Sequence, residues 1–269
     1  MIIMSNNFAE INSNWQYVLP PSRPSYHELQ RIQSALITAD RNEPIAVLGS
    51  TIEFRNLLHS MGFKKIYIFE KNKLFYQWSN SWVAYSNDRE YVVWGDWLET
   101  IKKYTDYFTV ILSDLTMGNI AYTDRFDFYQ AIYSAIKPKG FFIDKVLTHD
   151  IPHASLDSLM IRYERMPINL ESVNRFSCEV LFCSTLLEQE TIDTTKFYSL
   201  LKERYTTPVL SKYIEMAHLI TPENCVWYYG RKWSDLILDY KKPYREVSVY
   251  DDVPNSPYYG RSKHFIHIK

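Results

Sequence analysis

Pro44-Ile45-Ala46-Val47-Leu48-Gly49-Ser50-Thr51-Ile52-Glu53-Phe54-Arg55 opens the stretch, closing at Glu70, whose reading decides the fold. Ile45 to Leu48 is a short apolar run of the kind found in a strand covered on both faces, and Gly49 stops it. Ser50 stands three residues before Glu53, the spacing of a capping box. Phe54, Leu57, Leu58 and Met61 then recur at helical spacing until Gly62 closes the helix. Lys65-Ile66-Tyr67-Ile68-Phe69 reads as a second strand, and Glu70 falls 21 positions after Gly49. An acidic side chain at about that distance can accept both ribose hydroxyls of a nucleotide whose other end lies over the glycine turn. A dinucleotide turn carries G-x-G-x-x-G so that backbone can approach a pyrophosphate. This turn has one glycine, which disfavours that ligand.

Further pieces follow in order. Tyr91 to Trp94 reads as a strand running into Gly95-Asp96-Trp97-Leu98, with Asp96 placed to cap a helix over Leu98 to Tyr104. Phe108 to Leu112 is another buried strand, ended by Ser113-Asp114-Leu115-Thr116-Met117-Gly118-Asn119. Phe126 to Ile136 is an amphipathic helix, Lys137-Pro138-Lys139-Gly140 a turn, and Phe141 to Leu147 a fifth strand. Strands alternating with helices call for a mostly parallel sheet covered on both faces.

Leu48 to Arg55 resembles the first motif of class I S-adenosylmethionine (SAM)-dependent methyltransferases, in particular a bacterial group whose turn reads L-G-x-T-P-E-L-R. Ile52 replaces its proline and Phe54 its leucine. The stretch from Ser113 to Asn119 resembles the fourth motif, and Lys-Pro-x-Gly before a strand is frequent in the superfamily. The resemblance implies a Rossmann-like α/β fold with a seven-stranded sheet. It implies SAM as cofactor, held by Gly49, Ser50, Thr51, Glu70, Lys71, Asp96, Trp97, Asp114 and Leu115. Asp96 would face the adenine amino group and an apolar neighbour the ring. The same group has a Trp and an R-P-S-like stretch before the first strand. Trp15, Arg23 and Tyr26 are therefore expected to close over the cofactor or its carboxylate, or else to belong to an arm packed for stability.

The 269 residues, 46% of them hydrophobic, can bury one large core. A net charge of −1 implies no bulk attraction to nucleic acid or an anionic membrane. The three cysteines are odd in number without C-x-x-C spacing, the N-terminus lacks a signal-peptide pattern, and no apolar run approaches the about 20 residues of a membrane span, so a cytoplasmic protein is expected.

The chain divides into an N-terminal arm and helix with a lid role in view (1–43), a cofactor-binding core (44–147), a helical insertion forming a substrate chamber (148–244) and a C-terminal β-hairpin completing the sheet (245–269). Helical patterns fall near 155 to 165, 171 to 189, 194 to 205 and 209 to 220. Trp233 to Tyr240 is expected as the last covering helix, and Arg245 to Tyr250 with His264 to Ile268 as the hairpin.

His149-Asp150-Ile151-Pro152-His153 follows the fifth strand, at the sheet end where ligands bind in open α/β folds. It reads first as a polar loop, next as a source of a general base and last as a metal site, since Pro152 prevents a helix from aligning the two rings. No metal is expected. Tyr228-Tyr229-Gly230-Arg231 recurs as Tyr258-Tyr259-Gly260-Arg261, but residues 226 to 269 hold eight Lys/Arg against five Asp/Glu, a balance of +3 too mild to select RNA. Asp114, Lys145 and Glu179 resemble part of the Lys-Asp-Lys-Glu tetrad of RNA ribose 2′-O-methyltransferases. However, no lysine occurs between Met1 and Gly62 to supply the first member.

The reading is therefore a methyltransferase acting on a small molecule or peptide side chain, with Asp114, His149 and His153 as candidate catalytic groups. An RNA 2′-O-methyltransferase and a non-catalytic SAM-binding module are the alternatives.

Overall fold

The computed structural model describes residues 18–19, 22–148, 154–182, 191–221, 223–228, 243–251 and 262–269. The strands are β1 (Ile45–Leu48), β2 (Ile66–Glu70), β3 (Glu90–Trp94), β4 (Phe108–Asp114), β5 (Ile136–Leu147), β6 (Thr191–Asp193), β7 (Val226–Tyr228), β8 (Glu246–Asp251) and β9 (Ser262–Ile268). Seven of them form one sheet in the order β3-β2-β1-β4-β5-β9-β8, while β6 and β7 pair separately. The first five are parallel, and β9 runs antiparallel to both β5 and β8.

The helices are α1 (Tyr26–Ala35), α2 (Ile52–Ser60), α3 (Lys73–Asn80), α4 (Trp97–Thr100), α5 (Arg125–Ala135), α6 (Leu156–Glu164), α7 (Leu170–Phe182), α8 (Thr194–Arg204) and α9 (Pro208–Ile220). Alternation along the strands sends side chains to two cores. Ile45, Val47, Val110, Leu112 and Ile143 pack against Ile32 of α1 and Leu36 at its C-cap, Phe54 and Leu58 of α2 and Tyr76 of α3. Ala46, Leu48, Ile111, Phe142 and Phe265 pack on the other face against Phe128 and Ile132 of α5. A third core, including Leu159, Tyr163, Phe176, Leu201 and Tyr213, joins α6 to α9 and takes in Val18.

Most expected elements stand within a residue or two of their predicted limits. Three differences stand out. The Ser50–Glu53 capping box does not form: α2 begins at Ile52 with Thr51 at its N-cap, and Ser50 Oγ instead donates to Glu70. The β5 ladder begins earlier than Phe141, because Ile136 already pairs with Phe108 before the register shifts. Within that irregularity Lys139 takes φ +66° and Gly140 leaves no room for a Cβ, which would lie 2.7 Å from Thr109 O. The β6–β7 pair, only three residues per strand, had no sequence signal. The expected helix at 233–240 lies outside the described residues, as do 183–190 at the end of the second insertion helix.

Candidate functional site

The carboxyl ends of β2, β1, β4 and β5 and the start of β9 share one edge of the sheet, and charged side chains from distant parts of the chain stand along it. At the β2 end, Gly49 turns the chain with φ +85°. A Cβ there would meet Trp97 Cζ2 at an ordinary 3.9 Å, so conformation rather than space selects glycine. Gly49 N–H donates to Phe69 O (2.8 Å), and Trp97 Nε1–H donates to the same carbonyl (2.9 Å), which sets the indole beside the turn.

Glu70 follows Phe69 and is 5% exposed. Its Oε2 accepts from Ser50 Oγ at 3.0 Å and its Oε1 from Asn72 N–H at 2.8 Å. Burial pushes its pKa up, opposed by these hydrogen bonds. The backbone N–H groups of Ser50 and Lys71 also act on this carboxylate, which thus faces four donors from the glycine turn and from the residues after β2. Gly95 N–H donates to Glu70 O (3.2 Å), bringing the β3–α4 loop alongside. There Asp96 caps α4 through Leu98 N–H (3.1 Å), as expected, and faces Lys71 Nζ at 3.5 Å.

The other half of the edge is a buried charge cluster. Asp114 ends β4, and Leu115 after it takes the left-handed conformation, φ +56°, unusual for a branched residue. Asp114 is in register with Lys145 of β5, and Lys145 with His264 of β9, so the three share one face. Lys145 Nζ is 2.8 Å from Glu28 Oε1 and 3.8 Å from Asp114 Oδ1, and His264 Nε2 is 2.8 Å from the same Glu28 oxygen. Glu28 belongs to the first turn of α1, where Glu28 N–H donates to Ser25 Oγ (3.3 Å) and Ser25 N–H donates to the Glu28 carboxylate in a true capping box. Burial alone would raise the Glu28 pKa. The hydrogen bond from His264 and the charge of Lys145 outweigh it, and the pKa falls from 4.5 to about 2.

Between the halves runs the segment leading into α1. Leu19 N–H donates to Asn174 Oδ1 (2.9 Å) and Ser22 Oγ lies 3.6 Å from Cys178 Sγ, both on α7. Arg23 Nη2 pairs with Glu53 Oε1 of α2 at 2.7 Å. The segment thus ties the helical layer to the sheet edge.

Of the residues singled out from sequence, the edge therefore holds Gly49, Ser50, Thr51, Glu70, Lys71, Asp96, Trp97, Asp114 and Leu115, with Arg23 above it. Tyr26 starts α1 with 70% of its surface exposed, its hydroxyl accepting from Gln30 (2.8 Å). Trp15, His149 and His153 lie outside the described residues. The tetrad resemblance fails at Glu179. That residue sits on α7, accepting from Tyr163 (2.6 Å) and Arg175 (2.9 Å) and paired with Arg162; the carboxylate beside Lys145 is Glu28. Glu28 and His264 were not picked out from sequence, and Glu53 only as the partner of Ser50 in an expected capping box. Glu28 had a signal in the Ser25-x-x-Glu28 spacing, but that spacing announces a helix start rather than a partner in β5.

The sheet order, with β9 inserted antiparallel between β5 and β8, defines the Rossmann-like class I methyltransferase fold. No family model matches the sequence, and no curated protein does. Solved structures match in fold. A candidate zinc-dependent alcohol dehydrogenase from Rhodobacter sphaeroides superposes with TM-score 0.58 at 14% identity, covering 98% of this chain and 99% of its own. A candidate exported protein from Bordetella parapertussis gives 0.53 at 12%, covering 94% and 70%. A glycopeptide N-methyltransferase complexed with S-adenosyl-L-homocysteine gives 0.51 at 10%, covering 91% of each chain. At these identities, and with names so different, the likeness carries the fold and nothing further.

Proposed function

We propose that this chain is a SAM-dependent methyltransferase acting on a small molecule or a peptide side chain. The observation that carries the reading is the joining of the single-glycine turn to a buried carboxylate at the end of the next strand, through Ser50 and Glu70, with the Asp96 loop hydrogen-bonded alongside. These groups fit a nucleoside. Glu70 offers a buried carboxylate on which a ribose hydroxyl can take the place of Ser50 Oγ, Asp96 offers an acceptor to an exocyclic amine, and the Trp97 indole gives a planar wall. SAM bound there supplies a methyl group already activated by sulfonium. The chain's own residues need only orient the acceptor in line with it and exclude water, and orientation of this kind can be worth roughly 7 to 11 kcal/mol. Asp114, where β4 ends, would hold or accept a proton of the acceptor. The net charge of −1 favours an enclosed acceptor over a nucleic acid lying in a basic groove.

Calorimetric titration tests the cofactor. Glu70→Ala should weaken SAM by about tenfold to a hundredfold, the worth of a charge-assisted hydrogen bond. Wild-type protein that ignores millimolar SAM yet binds a nicotinamide or flavin dinucleotide would sink the reading. Methyl-labelled SAM offered with separate pools of metabolites, peptides and RNA then assigns the acceptor. Label confined to RNA would replace the small-molecule reading by the 2′-O alternative.

A further inference from the structure

β8 is the last strand of the sheet, and among the described residues no strand pairs with its outer side. Soluble proteins blunt such an edge with lysine, proline, a bulge or a covering element. The six residues from Glu246 to Asp251 contain neither lysine nor proline, and they pair with β9 without a register shift. Arg245 and Glu246 are exposed and have no ion-pair partner among the described residues. Arg31 of α1 lies over the Tyr250 ring at 4.8 Å and donates to Asp251 O (3.4 Å), so it too meets no carboxylate side chain. Asp251 pairs with Lys263 across the ladder, yet its side chain stays 49% exposed.

The order of these side chains is self-complementary. Val247 and Val249 pack on the α5 side of the sheet, with Arg245 and Asp251 in the same phase at either end, while Tyr250 lies toward α1. Opposite residues of an antiparallel pair share a face. A two-fold axis perpendicular to the sheet through Ser248 therefore sets Val247 against Val249, Glu246 against Tyr250 and Arg245 against Asp251, each twice. Arg245 then meets the Asp251–Lys263 pair of the second copy, and Glu246 the Arg31 that covers Tyr250. Moving the axis to Val247 or Val249 sets a valine against Arg245 or Asp251, and the charge match is lost. The other edge has no such property: β3 paired with itself about Val92 opposes Asp88 to Asp96.

We propose that β8 is an isologous interface for a second copy of this chain, the two edges joining antiparallel about Ser248 into one continuous sheet. The pairing stands whether or not the chain binds SAM. Sedimentation of the full chain, raised to about 100 μM so that even a weak contact fills, should give a species of twice the 32.0 kDa of one chain. Arg245→Glu opposes two carboxylates at both ends of the pairing, and Asp251→Arg opposes two guanidinium groups. Each variant alone should dimerise about tenfold or more weakly than wild type. An equimolar mixture of the two should recover the dimer, because the introduced charges attract each other at one end and the native Arg245–Asp251 pair forms at the other. A monomeric wild type would overturn the proposal and leave the edge to another occupant. Variants that dimerise as wild type does, or a mixture no better than its components, would overturn it as well. Should Asp251→Arg, which loses Lys263 as a partner, fail to fold, Ser248→Cys gives the decision. On the axis that position faces itself at a Cα separation of about 4.5 to 5.5 Å, which a disulfide spans. Mild oxidation should then yield a covalent dimer in that variant and none in wild type, whose Cys178 and Cys225 are buried. Absence of the crosslink, or the same crosslink in wild type, would refute the pairing.

Discussion

Glu28→Gln is the most informative single substitution for how the edge is held together. Glu28 is 3% exposed, and one of its oxygens receives both Lys145 Nζ and His264 Nε2 at 2.8 Å. A carboxyl held at about 2 in the folded chain against 4.5 in the unfolded one contributes on the order of 3 kcal/mol at neutral pH. Breaking one side of a buried pair costs about 3 to 5 kcal/mol, which agrees in scale. The sign follows from the depressed pKa: the contribution is complete well above 4.5 and fades as pH falls from there toward 2. At pH 3 about 1 kcal/mol should remain, by the same linkage. Glutamine keeps the shape and carries no charge. Urea unfolding of both proteins at several pH values should therefore show a gap of about 3 kcal/mol at pH 7 narrowing to about 1 kcal/mol at pH 3. A gap that is small at pH 7, or constant from pH 7 to pH 3, would refute the claim that an ionised Glu28 fastens α1 to β5 and β9.

Three other outcomes are expected. Asp96→Asn keeps a capping oxygen for α4, so the melting temperature should hold while SAM affinity, by calorimetry, falls; unchanged affinity would leave Asp96 with capping alone. Arg55→Met should cost about 3 to 5 kcal/mol in urea unfolding, because Arg55 is fully buried and donates to both oxygens of Glu90, at 2.9 and 2.7 Å. Gly140→Ala would place a Cβ 2.6 Å from Ile136 Cγ2 and 2.9 Å from Lys137 O; destabilisation of about 1 to 3 kcal/mol should appear as a lowered melting temperature.

The half of the edge from Gly49 to Asp96 was legible as structure because it is local in sequence. Strand, turn, helix and strand from Ile45 to Glu70 declare themselves by periodicity and by Gly49, and Asp96 by its capping position. Even there Ser50 misled, since a serine three residues before a glutamate can cap, yet here the nearer demand was the buried Glu70. In the charged half Asp114 and Lys145 were named from sequence, whereas Glu28 and His264 were not, because tertiary packing alone brings them to Lys145. Glu28 and His264 are 236 residues apart and meet through the late insertion of β9 beside β5, which no local pattern encodes. Glu179 was the more tempting partner for Lys145, but its helix turns it toward Arg162 and Arg175.

Lys145 shows why that difference matters for chemistry. A lysine acting as general base must give up its proton before it can take another. Here its ammonium lies 2.8 Å from Glu28, a carboxylate whose pKa of about 2 keeps it charged throughout the physiological range and which is almost wholly buried. Neutralising Lys145 would leave that charge with His264 as its remaining partner across the pair of contacts that fasten α1. The arrangement instead suits a fixed cation. Its ammonium lies 3.8 Å from Asp114 Oδ1, near enough to bias the orientation of that carboxylate. Under the proposed function, an acceptor that must lose a proton meets Asp114 at the end of β4, with Lys145 beside it and Glu28, on the N-terminal helix, holding Lys145 in place. The helix that precedes the first strand thus bears on the acceptor side of the site through charge alone, without entering it.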